Sequence, residues 1–153
     1  MIYEKREKYL LLSAGKYLHE KEKIGAGTPI IKTKEGYLFI YHAVGEISLD
    51  ICKFYGLNKP IARGYSICVA LLSLENPNKV ICRTSKPIYI PSKPYELYGN
   101  KEYVIDIPAV VFPVGAIKIN DKLIIYAGAS DKYVVILSCS IKKLVDYLFE
   151  HRV

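Results

Sequence analysis

Three histidines and four cysteines are the side chains of this sequence best suited to hold a metal or exchange protons near neutral pH, and they are scattered. Cys52, Cys68, Cys82 and Cys139 form no C-x-x-C pair and gather no histidine beside them, so no zinc site is expected. They read as mostly buried thiols. A Cys68–Cys82 disulfide is the alternative, open only if a hairpin sets the two opposite each other. Lys23, ahead of Gly25-Ala26-Gly27, reads by itself as a surface lysine, and His42 as a solvated or hydrogen-bonded histidine at a strand end. The two glycines suit either a close backbone approach to a ligand or a tight turn. Asp131, after Ala127-Gly128-Ala129-Ser130, is a loop carboxylate that can bond its own backbone. Tyr41 and Tyr126 end similar apolar runs and read as core or inner-rim packing, while Asp50 and Asp106 near strand ends read as solvated.

The elements that must carry these residues are mostly strands. Residues 1–23 hold a short apolar patch, YLLL at 9–12, and read as one strand with an irregular lead-in. From Pro29, PIIKT and YLFIYHAV flank Lys34-Glu35-Gly36, the pattern of a β-hairpin. Residues 45–64, punctuated by Gly45, Gly56, Pro60 and Gly64, read as a surface loop with a short strand or turn. A strand over 65–74, a turn at 75–79 and a strand at 80–83 follow; Pro87, Pro91 and Pro94 keep the next stretch extended and out of a central ladder. The last third gives IPAVVFPVGAIKI, a turn at Asn120-Asp121-Lys122, then KLIIYAGASD and YVVILSCS. Only the end changes period. Ile141, Leu144, Val145 and Leu148, three and four apart, predict a short amphipathic helix capped by Ser138 or Ser140.

An internal echo organises this series, since Gly36–Tyr41 aligns with Asp121–Tyr126 at an offset of 85 residues. That is about twice the roughly 40–50 residues of one propeller blade, so a radial all-β repeat is the economical reading, with a β-sandwich or meander as the alternative. The length predicts a single domain over 1–153, and 51% hydrophobic residues with 14 tyrosines provide its core. A net charge of +7 favours anionic partners, yet the lysines are interspersed with glutamates, as in EKREK, and form no stripe for nucleic acid. No apolar run is long enough to span a membrane and the start has no leader pattern, so the expected location is the cytoplasm.

KIGAGTPIIKTKEGYLFIYHAV at 23–44, VALLSLENPNKVICR at 69–83, VVFPVGA at 110–116 and LIIYAGASD at 123–131, with a helix containing LVDYL, carry a resemblance in order and spacing. Together they resemble glycoside hydrolase family 130, the β-mannoside phosphorylases and related enzymes. The resemblance implies a five-bladed β-propeller, of which this chain would be about the C-terminal half, ending in a short helix. It implies inverting cleavage of a β-mannoside with inorganic phosphate as co-substrate and no other cofactor, or with water in some members. Lys23 and His42 resemble the family's phosphate contacts; an ammonium and an imidazole converging on one anion hold it by charge-assisted hydrogen bonds. Asp131 resembles the acidic residue near the sugar, where a carboxylate accepts hydroxyl hydrogens without competing donors. Tyr41 and Tyr126 are placed with it on the substrate side.

The family's general acid, an aspartate, and two phosphate-gripping arginines belong to its first half, and nothing before Met1 supplies them, so no catalytic residue is assigned to this chain. Departures from the family pattern are Ser66 for arginine, Cys68 for glycine, Ser73 for aspartate, Ala109 for asparagine and Ala127 for an aromatic. Two functional readings follow. In one, the chain is a subunit of an inverting β-mannoside phosphorylase that needs an N-terminal half-propeller partner. In the other, it is a non-catalytic carbohydrate- or anion-binding module that self-associates.

Overall fold

The computed structural model describes residues 10–151. The part of the expected first strand on residues 1–9 lies outside the described residues, and 10–17 form no strand but lead to one 3-10 turn, Leu18–Glu20. The remaining order is β1 (Lys23–Ala26), β2 (Ile31–Lys32), β3 (Tyr37–Ile47), α1 (Leu49–Phe54), β4 (Ile61–Leu72), β5 (Val80–Arg83), β6 (Val111–Ile119), β7 (Lys122–Ala129), β8 (Tyr133–Ser140) and α2 (Ile141–Glu150). The chain is thus mostly β-sheet with a short C-terminal helix.

In the first sheet β3 is central, with β4 and then β5 on one side and both β1 and β2 on the other. β1 runs against Tyr41–Val44 and β2 against Tyr37–Leu38, so the two form one edge strand broken around Pro29, which has no N–H to give. The expected hairpin is present. Its turn is held by Thr33, whose Oγ1 accepts from the N–H groups of Glu35 (3.2 Å) and Gly36 (3.1 Å). The reading of 45–64 as a surface loop is corrected: β3 continues to Ile47, α1 buries Cys52, and β4 starts at Ile61. In the turn after β4, Ser73 N–H donates to Lys79 O at 2.9 Å.

The second sheet is an antiparallel meander, β6-β7-β8, with a bulge between Pro113 and Gly115. It passes directly into α2. Of the two expected caps it is Ser140 whose Oγ accepts from Lys143 N–H (3.1 Å), and Asp121 accepts from Ser140 Oγ (2.6 Å) and Lys142 N–H (2.9 Å). Ile141, Leu144, Val145 and Leu148 are buried, as the spacing predicts. They join Leu38, Ile40, Ile67, Val69 and Leu71 of the first sheet and Val111, Leu123, Ile125 and Ala127 of the second in one core cluster. Each such side chain contributes roughly 1.5–3 kcal/mol on burial, so this shared core is what joins the two sheets.

Alternation sends the intervening residues of β3 and β4 to the opposite face, where Tyr41, Ala43, Cys68 and Ala70 cluster. Cys82 belongs to the first cluster and pairs in register with Leu71, so it and Cys68 lie on opposite faces and cannot form a disulfide. The 3-10 turn covers the second face. Its Glu20, fully buried, meets Arg83 at 3.1 Å, and Gly45 allows the approach, since a Cβ there would lie 2.1 Å from Leu18 O. The proline-rich stretch between β5 and β6 is organised by the buried Glu96 carboxylate, which accepts from Tyr89 Oη (3.0 Å) and from the N–H groups of Ser92 and Lys93 (both 3.0 Å). Among the described residues no helix is long and apolar enough to cross a membrane.

Candidate functional site

Register places the chemistry. Lys23 of β1 stands opposite Val44 of β3, which stands opposite Tyr65 of β4; two residues along, Gly25, His42 and Ile67 are aligned. Directly opposed residues share a face, and positions two apart along a strand do too. Lys23, His42 and Tyr65 therefore occupy one face, at the end of the row that continues through Ile40 into the core.

The local geometry is cationic and aromatic. Lys23 Nζ lies 5.0 Å from the centre of the Tyr65 ring, and Arg63 Cζ lies 5.5 Å from it. Arg63 is held by Glu22 at 2.9 Å. The Lys23 ammonium beside the Tyr65 hydroxyl lowers its pKa, with Arg63 adding to the effect and partial burial opposing it. His42 is 8% exposed, its ring centre 4.3 Å from that of Phe112 in β6 and 6.0 Å from that of Tyr65. Burial lowers its pKa and the Lys23 charge lowers it further, against a hydrogen bond at the Ala26 backbone. This shift favours the uncharged imidazole, and among the described residues its buried Nδ1 has no hydrogen-bond partner. Lys23 and Arg63 bring the charge; His42 brings a neutral donor and acceptor.

The Gly25-Ala26-Gly27 run serves packing. A Cβ on Gly25 would lie 2.4 Å from His42 Cε1, and one on Gly27 2.7 Å from Pro113 Cγ. Neither glycine has positive φ, so the requirement is space for the His42 ring and for the second sheet.

Asp131 is exposed in the β7–β8 turn, where Ser130 (φ 51°) and Asp131 (φ 54°) are both left-handed. Backbone bonds tie this turn toward the cluster: Ser130 N–H donates to Val110 O (3.1 Å), Val110 bridges to Tyr65, and Tyr65 N–H donates to Ala109 O (2.9 Å). Among the described residues the Asp131 side chain forms no hydrogen bond or ion pair with Lys23 or His42. Tyr41 is buried on the opposite face of β3 from His42, and Arg83 lies beside its hydroxyl. Tyr126 is half-buried on the outward face of the second sheet, between Gly115 and Ile136. The structure thus brings together Lys23 and His42, connects Asp131 through the backbone, and sets Tyr41 and Tyr126 elsewhere. Asp50 pairs with Lys86 and Asp106 with Lys132, both at 3.3 Å and both exposed.

Tyr65 and Arg63 were not singled out as candidates, because cross-strand register rather than sequence spacing brings them to Lys23. A cavity of about 690 Å³ lies between α1 and α2, lined by Phe54, Tyr55, Leu144 and Tyr147 and by none of Lys23, His42 or Asp131. Among the described residues no group of three or more His, Cys, Asp or Glu side chains could hold a metal ion.

Residues 1–150 match the family described as β-1,4-mannooligosaccharide phosphorylase, glycoside hydrolase family 130. A β-1,2-mannobiose phosphorylase of Thermoanaerobacter sp. is 34% identical over 123 residues, 80% of this chain and 34% of the relative. A β-1,4-mannooligosaccharide phosphorylase of Ruminococcus albus is 31% identical over 134 residues, 86% of this chain and 35% of the relative. The solved Listeria innocua β-1,2-mannobiose phosphorylase, in complex with β-1,2-mannobiose, superposes with a TM-score of 0.72 at 28% identity, over 92% of this chain and 34% of that one. The chain spans about a third of the length of these relatives. With that coverage of its own length, the chain belongs to glycoside hydrolase family 130.

Proposed function

We propose that this chain supplies the phosphate-holding side of an inverting β-mannoside phosphorylase site, as part of a five-bladed propeller whose remaining blades and catalytic groups come from an N-terminal partner. The observation that carries the reading is the cluster of Lys23, Arg63, Tyr65 and His42 on one face of the first sheet. Two cations, a phenol hydroxyl and a neutral imidazole fit a phosphate oxyanion, which accepts every hydrogen bond they donate.

Inverting phosphorolysis needs an anion on one face of the sugar and a proton donor on the other. A phosphate oxygen forms the new bond to C1 as the C1–O glycosidic bond breaks, and the departing oxygen takes the acid's proton. The products are mannose 1-phosphate and a free hydroxyl. In this scheme Lys23 and His42 orient the attacking phosphate, Tyr65 and Arg63 strengthen its hold, and Asp131 accepts hydrogen bonds from mannose hydroxyls. Release of mannose 1-phosphate from β-1,2-mannobiose, measured with the chain alone and with a polypeptide carrying the family's amino-terminal portion, tests the proposal. Activity in the mixture only, abolished by Lys23→Met, is the expected result; equal inactivity in both, with both polypeptides folded, contradicts it.

A further inference from the structure

The cavity of about 690 Å³ between α1 and α2 has the size of a small-molecule site, roughly 300–1,000 Å³. Phe54 and Tyr55 of α1 and Leu144 and Tyr147 of α2 line it, and Ile88 and Cys139, both packed against the main core cluster, complete the lining. Cys139 belongs with Val135 and Leu137 to the inward row of β8. The cavity therefore opens off the core between the two sheets, away from the outward face of the second.

Its lining is aromatic and apolar. Tyr55 Oη donates to Ile88 O at 2.9 Å, so the ring and not the hydroxyl is what Tyr55 offers a ligand. Tyr147 stacks on His151 with ring centres 4.2 Å apart, which extends the aromatic wall. Phe54 is 86% exposed in a helix whose Cys52 is buried, and an apolar body laid against that ring would take it out of water. Charge is sparse and of one sign where it is uncommitted. Asp50 and Lys86 pair at 3.3 Å and Asp50 also accepts from Ser48 Oγ, whereas the Lys143 ammonium has no ion pair among the described residues.

We infer that this cavity is a binding site for a small amphipathic anion, with an aromatic body among Phe54, Tyr55 and Tyr147 and a carboxylate or sulfonate accepting hydrogen bonds from Lys143. The aromatic walls hold the body; the ammonium selects an anion over a neutral molecule of the same shape. A mannoside is poorly matched, because its hydroxyls would face Pro87, Ile88 and Leu144 without partners. The site shares no residue with the cluster of Lys23, Arg63, Tyr65 and His42 and stands apart from the phosphate reading.

Fluorescence titration of the chain with anilinonaphthalene sulfonate, run beside phenylnaphthylamine, the same ring system without the sulfonate, is the test. Saturable one-to-one binding, tighter for the sulfonate, is expected. Lys143→Gln should weaken the sulfonate about tenfold and leave the neutral amine unchanged, while Phe54→Ala should weaken both. Both side chains are exposed, so neither variant should move the melting curve. Bound sulfonate should also slow alkylation of Cys139 by N-ethylmaleimide, followed by mass spectrometry, since this half-buried thiol lines the cavity. No saturable binding, equal affinity for the two dyes, or a response indifferent to both variants overturns the inference; in the last case, loss of the signal in Val134→Lys would place the dye on the outward face of the second sheet. Lys23→Met and inorganic phosphate should leave dye binding unchanged, so the result is scored independently of phosphate binding.

Discussion

His42 owes its position to the absence of a side chain at Gly25, its register partner on the neighbouring strand. Gly25→Ala would place a Cβ 2.4 Å from His42 Cε1, and the ring must turn or the edge strand must shift. The variant is expected to lose about 1–3 kcal/mol of stability, read by urea denaturation, and to move the His42 ring signals in an NMR spectrum. A second residue-scale prediction concerns His19, 2% exposed, whose pKa burial lowers to about 4 with help from the Arg83 charge. In the unfolded chain this imidazole protonates near 6.5, so the unfolded state gains the proton first. The contribution of neutral His19 is complete above pH 6.5 and is lost as pH falls toward 4, amounting to about 3 kcal/mol. Glu20 acts in the opposite sense, because burial raises its pKa against the pull of Arg83, so the native state gains that proton first. Comparing His19→Gln with the wild type across this range isolates the histidine: the variant should show the shallower loss of stability on acidification.

At the scale of elements, the buried Glu20–Arg83 pair fastens the 3-10 turn to the first sheet just ahead of Lys23. Arg83→Leu leaves an unpaired carboxylate in the interior and should cost about 3–5 kcal/mol in chemical denaturation, whereas Glu20→Met with Arg83→Leu should recover most of it. The hairpins and α2 were legible because alternation and three-four spacing are properties of the sequence itself. The echo was legible too, and it places Leu38 and Ile40, and Leu123 and Ile125, in the same core cluster. β1 and α1 were not. Gly25 and Gly27 resemble a loop, yet the ladder with β3 satisfies this segment, and α1 is six residues among turn formers, too short for a helical period to show. In the site, Lys23 and His42 carried a family resemblance, while Tyr65 and Arg63 join them only through register. Tyr41 and Tyr126 end equivalent runs, but one is buried behind the first sheet and the other lies on the outward face of the second.

For the whole molecule, one core cluster couples both sheets to α2, and the cationic cluster sits where β1, β3, β4 and β6 approach each other. In the proposed reading the anion is held by side chains of the first sheet, with Phe112 of β6 packed against His42, and the proton donor comes from the partner. Phosphate binding therefore comes before any measurement of turnover. The most direct test is a titration of the chain with inorganic phosphate, followed through the His42 imidazole by NMR at neutral pH. Saturable binding that raises the His42 pKa from its lowered value, and that disappears in Lys23→Met while the fold is retained, is the predicted result. A His42 signal indifferent to phosphate, or one whose response survives Lys23→Met, would contradict the account.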